Sequence, residues 1–174
     1  EYKIVCAKLN HGVSCLGYSF IEQDSTNIDK QKIEKYNLQN NIENLIKLKN
    51  GLDIKINGKI IINKELTYIK KGLKISFVFD TRPCDEISKL IKDSDYLLME
   101  ATYIYEQHFQ KAEDYDHMSA KETAQLAYEN NVKNLIITHY SHRYQDIKDI
   151  EIEAKQTFEN TTCAYDLMEI NLKN

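Results

Sequence analysis

The chain has 174 residues, 42% of them apolar and 29% charged, with a net charge of −4. That length supports one domain with a hydrophobic core. The composition is that of a globular chain, not a disordered one, and no stretch approaches the roughly 20 apolar residues of a membrane span.

The opening Glu1-Tyr2-Lys3-Ile4-Val5 reads as a strand already under way, with no Met and no leader, so the chain is expected to be a fragment or a trimmed piece of a longer protein. Residues 2–9 and 16–22 alternate as strands, with a loop at Asn10–Ser14 between them. Residues 24–72 read as an inserted arm. It has helical pieces near 29–36 and 40–48 and a hairpin at 54–62 turning on Asn57-Gly58, a type I′ signal. The arm has few large aromatics and is expected to make little core. From Lys74 onward strands and helices alternate. Residues 75–79 read as a buried strand, and 84–92 as a helix with Ile87, Leu90 and Ile91 on one face. A strand follows at 96–99, then a helix from Ser119 with Glu122 completing a capping box. A strand at 135–138, a helix at 147–158 and a last strand at 166–171 close the chain. This pattern is an α/β layered fold.

Charge is unevenly placed. Residues 30–74 hold eleven lysines and four carboxylates, a net of +7, which leaves −11 for the remainder. Such a segment suits a phosphate backbone or a plain solvated surface, and charge alone does not choose. Cys6, Cys15, Cys84 and Cys163 form no C-x-x-C pair and are expected as buried or half-buried thiols in a reducing cytoplasm.

Ligands in α/β sheets gather just past strand ends. Asp80, Glu100 and His139 fall there, His11 lies in the first loop, and His117 just precedes the Ser119 cap. Each has a plainer reading as a turn, cap or packing residue. Together two His and one Asp at strand ends make a plausible zinc set, because zinc takes imidazole nitrogen and carboxylate oxygen. His108 and His142 read as surface residues. Nucleotide-binding glycine loops and the G-x-S-x-G elbow are absent. A cysteine nucleophile with a His base stays open, although no cysteine reads as sitting at a helix start beside a basic group.

An ordered set of motifs now points to one family. Asp80-Thr81-Arg82-Pro83 resembles its metal-bridging Asp motif, Met99-Glu100-Ala101-Thr102 its His-Glu-Ala-Thr motif, and His117-Met118-Ser119 its His-Ser-Thr motif. Thr138-His139-Tyr140-Ser141-His142-Arg143-Tyr144, Asn10-His11-Gly12-Val13 with Gly17-Tyr18, and Ala164-Tyr165-Asp166 with Glu169 resemble three more, over essentially the whole chain. The chain thus resembles ribonuclease Z, within the metallo-β-lactamase superfamily, over its C-terminal half. The resemblance implies the second half of an αββα sandwich, a mixed sheet with outer helices plus the inserted basic arm. It implies a zinc-dependent endoribonuclease that removes the 3′ trailer from precursor tRNA in the cytoplasm. His11, Asp80 and His139 would hold two zinc ions per complete site, and His117 with Glu100 would transfer protons. Arg143, with Lys47 and Lys49 of the arm, would bind substrate. Pairing with the missing N-terminal half or a homodimer is expected, because half a sandwich leaves an apolar sheet face open.

Departures from the family pattern are also legible. The H-x-H-x-D-H ligand run occurs nowhere in the 174 residues, so the chain alone is expected to be inactive. Phe79 stands where the family has Gly and Met99 where it has His, and the arm tip at 37–42 has no Gly-Pro element. The alternatives are a non-catalytic RNA-binding or interaction module built on this fold, or another phosphodiesterase of the superfamily.

Overall fold

In the computed structural model, which describes residues 1–172, Tyr2–Lys8 (β1) and Leu16–Glu22 (β2) form an antiparallel hairpin with Tyr2 opposite Glu22. Gln23–Gly72 then forms a compact unit of its own. Within it Ser25–Ile28 (β3) pairs with Thr67–Lys70 (β6), and Lys30–Lys35 (α1) and Ile42–Lys49 (α2) lie between them in sequence. Asp29 and Asn41 cap the two helices through side-chain oxygens that accept from Lys32 and Asn44 amides. Ile54–Ile56 (β4) and Lys59–Ile61 (β5) are the expected hairpin, with Asn57 at φ 47° and Gly58 at φ 81° in its turn, before the single turn Asn63–Leu66 (α3). The expectation of little core here is corrected. Ile33, Leu38, Leu48, Ile54, Ile61 and Leu66 are buried together. The core is aliphatic, so counting aromatics missed it.

The other unit is Glu1–Glu22 with the residues from Leu73 onward. Lys74–Val78 (β7), Tyr96–Glu100 (β8), Asn134–Thr138 (β9) and Thr161–Cys163 (β10) complete a six-stranded sheet in the order β1-β2-β7-β8-β9-β10. The first three strands are antiparallel and β7 to β10 are parallel, so the sheet is mixed. Asp85–Ile91 (α4), Tyr105–Asp114 (α5), Ala120–Glu129 (α6) and Lys148–Thr157 (α7) fill the connections. Ile87, Leu90 and Ile91 of α4, Ala120, Ala124 and Ala127 of α6, and Ile150 and Ala154 of α7 pack with Val78, Leu97, Met99, Leu135 and Ile137. These helices therefore cover one sheet face. Met99 is fully buried in that apolar layer, so a thioether there needs no polar partner.

The second face is barer. Tyr2, Ile4 and Tyr18 are exposed on it, Phe20 stacks on Tyr2 at 4.7 Å between ring centroids, and Cys6 is exposed where a buried thiol was expected. The strand expected at 166–171 is not one. Tyr165–Met168 forms a turn with Leu167 at φ 65°, and the last strand is Thr161–Cys163, which pairs with Leu135–Ile137. Leu167, Met168 and Ile170 imitated a strand, while the real one is a three-residue stretch defined by its pairing with β9. Helix α5 escaped the reading because it is polar and kinked at His108 (φ −141°). The strand at 75–79 alternates between buried and half-buried positions, and the capping box of Ser119 and Glu122 is formed in both directions.

Candidate metal centre and proton-transfer site

The carboxyl ends of β7, β8 and β9 lie side by side in parallel register, and the candidate side chains collect there. Asp80 follows β7, Glu100 ends β8 and His139 follows β9. Asp80 (φ 53°), Asp116 (φ 57°) and His139 (φ 59°) all hold left-handed backbone. That conformation costs about 1 kcal/mol or more for a residue with a Cβ, so surrounding bonds must impose it.

Glu100 supplies many of those bonds from a fully buried position. Its Oε1 accepts from the Thr81 amide at 2.5 Å. Its Oε2 accepts from the Thr102 hydroxyl at 2.6 Å and the Met118 amide at 3.1 Å, and lies 3.0 Å from His117 Nδ1. One carboxylate thus fixes the Asp80 loop, the end of β8 and the His117 loop. The Glu100 contact holds the His117 imidazole above its ordinary pKa, with burial opposing.

Thr102 carries the network to His139. Its hydroxyl has one proton, which it gives to Glu100, so it accepts from His139 Nδ1–H at 3.0 Å. A neutral His139 then has its lone pair on Nε2, 3.1 Å from Asp80 Oδ1. That oxygen is buried and takes part in no hydrogen bond, as expected where the facing nitrogen carries a lone pair and no proton. A buried carboxylate oxygen facing an imidazole lone pair is the arrangement that a cation would satisfy. Ligand atoms of Asp80, His117 and His139 all lie within 4.8 Å of one another. His11 donates Nδ1–H to the Asp116 carbonyl at 2.9 Å, which leaves its Nε2 free. Its ring centroid is 5.1 Å from that of His117, itself 5.1 Å from that of His139. Two imidazoles and a carboxylate are donors that suit zinc, and His11 stands beside them outside that 4.8 Å group.

The sequence reading missed the supports. Arg82 donates to the His117 carbonyl at 2.7 Å and grips the Glu122 carboxylate at 2.8 and 3.2 Å, both side chains being largely buried. Its amide donates to the Asn10 carbonyl at 2.7 Å, which ties the His11 loop to the Asp80 loop. Glu122 was legible as a capping residue, but nothing in the spacing paired it with Arg82. His108 was expected at the surface and is instead half-buried, its Nδ1 2.8 Å from the Tyr144 hydroxyl, while His142 is exposed. Cys84 occupies the N-cap of α4, a helix start, but its side chain makes no cap bond. Arg143 is exposed, with its guanidinium 5.2 Å over the Tyr103 ring and Nε donating to Ser141 at 2.9 Å. Lys47 and Lys49 belong to the 23–72 unit; Lys47 is ion-paired with Glu43 at 2.6 Å, and Lys49 is exposed. No described helix is long and apolar enough to cross a membrane.

No family model matches the chain. Individual relatives do. The ribonuclease Z of Protochlamydia amoebophila is 35% identical over the whole chain and 58% of its own length, and that of Chlamydia abortus 37% identical over 94% of the chain and 53% of its own. The ribonuclease Z of Sulfurisphaera tokodaii is 34% identical over 93% and 54%. Among solved structures, human tRNase Z short form superposes with a TM-score of 0.56 at 20% identity, over 99% of this chain and 44% of that one. A long form RNase Z from yeast gives 0.59 at 18%, over 94% and 16%, and the metallo-beta-lactamase fold protein YhfI from Bacillus subtilis 0.58 at 16%, over 94% and 46%. These likenesses show the metallo-β-lactamase fold. Spanning about half the length of the curated relatives it matches, the chain belongs to the ribonuclease Z family.

Proposed function

We propose that this chain is the C-terminal half of a zinc-dependent endoribonuclease that removes the 3′ trailer from precursor tRNA, active only with an N-terminal half that supplies the H-x-H-x-D-H run. The observation that carries the reading is the Asp80 oxygen, buried without a hydrogen bond and 3.1 Å from a His139 nitrogen whose partner ring atom is already committed to Thr102. His11, Asp80 and His139 hold the two zinc ions in this reading. When bound, zinc stabilises charge on the phosphoryl oxygens and makes water a competent nucleophile at neutral pH. His117, whose protonated form the Glu100 contact favours, gives its proton to the oxygen that leaves as the bond to phosphorus breaks. Arg143 presents a guanidinium braced by Ser141 and Tyr103 to a substrate phosphate.

Residues 23–72 act as the tRNA-binding arm, with Lys47 and Lys49 on it. The compact unit holds ten lysines and six carboxylates, a net of +4. The bare sheet face with Ile4, Tyr18 and Phe20 supports pairing with the missing half, and the complete protein works in the cytoplasm as a homodimer.

His117 could also ligate, because a carboxylate-backed imidazole is a familiar metal ligand. Zinc content of a complete protein separates the two roles. With His117→Gln, zinc stays while turnover is lost; with Asp80→Asn, zinc itself is lost. Loss of zinc in His117→Gln would make His117 a ligand and remove it as the acid.

A further inference from the structure

Residues 23–72 hold a cavity of about 570 Å³ to which the chemistry above assigns no ligand, although Lys49 in its wall belongs to the proposed arm. Its walls come from β3, β6, α1, the 37–41 loop and α2, all in one compact unit. Ile28, Ile33 and Leu45 supply apolar lining. Tyr68 of β6, directly opposite Asn27 of β3, also lines it and is 54% exposed. Lys30, Lys49 and Gln39 complete the polar lining. Among the described residues the side chains of Lys30, Gln39 and Lys49 make no hydrogen bond or ion pair. The unit therefore shows a planar aromatic surface, unspent amide and ammonium donors and an apolar base around one concavity.

That combination selects a ligand class. The lysines and the unit's positive charge favour an anion. An exposed tyrosine beside aliphatic side chains favours a flat ring. Gln39 and Asn27 can read the edge of a heterocycle, and Glu34, which also lines the cavity, can accept from an exocyclic amino group. A nucleotide combines all three, and sites for small ligands commonly have this volume. A base inside a duplex cannot enter a concave site, whereas an unpaired one can be splayed out and stacked. We infer that the 23–72 unit carries a pocket for a single unpaired nucleotide: Tyr68 stacks on the base, Gln39 contacts its edge, and Lys30 and Lys49 hold the adjoining phosphate. This inference rests on the RNA-substrate reading and sharpens it, because it gives the arm a base contact in addition to charge.

The test uses the 174-residue chain with AMP and UMP as separate probes, followed by amide NMR shifts and calorimetry, and inorganic phosphate as control. Saturable binding is expected, with shifts centred on Gln39, Leu45 and Tyr68. Tyr68→Ala should weaken it tenfold or more. The pair Lys30→Ala with Lys49→Ala should weaken it and flatten its salt dependence. Lys55→Ala on β4, a lysine outside the cavity, should leave it unchanged, and unaltered spectra elsewhere will show that each variant is folded. No saturable binding of either nucleotide, or equal losses in Tyr68→Ala and Lys55→Ala, overturns the pocket. Gel-shift binding of a precursor tRNA keeps the two ideas apart. RNA bound by the chain without any nucleotide binding sinks the pocket and spares the RNA reading. Nucleotide bound in the pocket, with no RNA affinity in the chain or the complete protein, does the reverse.

Discussion

Thr102→Val removes one oxygen at nearly constant volume and cuts a single path of hydrogen bonds. Among the described residues, the Thr102 hydroxyl is the one group bonded to both Glu100 and His139, at 2.6 and 3.0 Å, and the residue is 5% exposed. Glu100 Oε2 keeps the Met118 amide and His117, so the carboxylate is not orphaned. His139 has a side chain 44% exposed, so its Nδ1 can turn to water. The stability cost is therefore that of one charge-assisted hydrogen bond, about 1.5–3 kcal/mol. In a chain of this size that lowers Tm by several degrees without unfolding it. The effect on metal should be larger in proportion. Once Nδ1–H is no longer held, His139 samples the tautomer with its proton on Nε2, and losing such a support typically costs 10–100-fold in metal affinity. Competition with a chromophoric chelator on the complete protein measures the affinity, and nitrogen shifts of the His139 ring report the tautomer. Wild-type zinc affinity in Thr102→Val, with an unchanged His139 tautomer, would refute the hydroxyl relay.

Glu100→Ala strands the buried amides of Thr81 and Met118 at about 1–3 kcal/mol each, so urea unfolding should show a loss of about 3 kcal/mol or more. In the metal-free chain, the His117 pKa is raised, so its pairing with Glu100 stabilises the fold fully below the ordinary histidine value of about 6.5 and ceases to do so as pH rises through the elevated value. The Tm gap between the chain and His117→Gln should accordingly narrow as pH rises above about 6.5; a gap that widens contradicts the pairing. Gly17→Ala places a Cβ 2.8 Å from Leu90 Cδ2 and 3.3 Å from the Phe77 carbonyl, so it should cost about 1–3 kcal/mol in thermal unfolding.

Much of the scaffold was legible because its signals are local. Alternation fixed β1 and β2, an Asn-Gly turn fixed the β4–β5 hairpin, and Ser119 with Glu122 fixed the start of α6. The elements that escaped were decided at long range or by weak patterns. The last strand was misplaced because Thr161–Cys163 is a strand only by virtue of pairing with β9. The pairing of β3 with β6 spans the whole 23–72 unit and has no local mark. At the candidate site, strand ends pointed to Asp80, Glu100 and His139, and the motif order added His11 and His117. The bonds that aim these groups run from Thr81, Thr102, Arg82 and the Asp116 carbonyl; the first three stand inside the recognised motifs, but no local pattern names the distant partner each one bonds.

The most direct test is cleavage of a precursor tRNA with a 3′ trailer by the complete protein, with the 174-residue chain and the Asp80→Asn and His139→Ala variants of the complete protein assayed beside it. We predict zinc-dependent release of the trailer by the complete protein, loss of that release in both variants, and none from the 174 residues alone. Trailer release by the isolated chain, or by the Asp80→Asn variant at the parental rate, would contradict a metal centre that is built on Asp80 and completed by the other half.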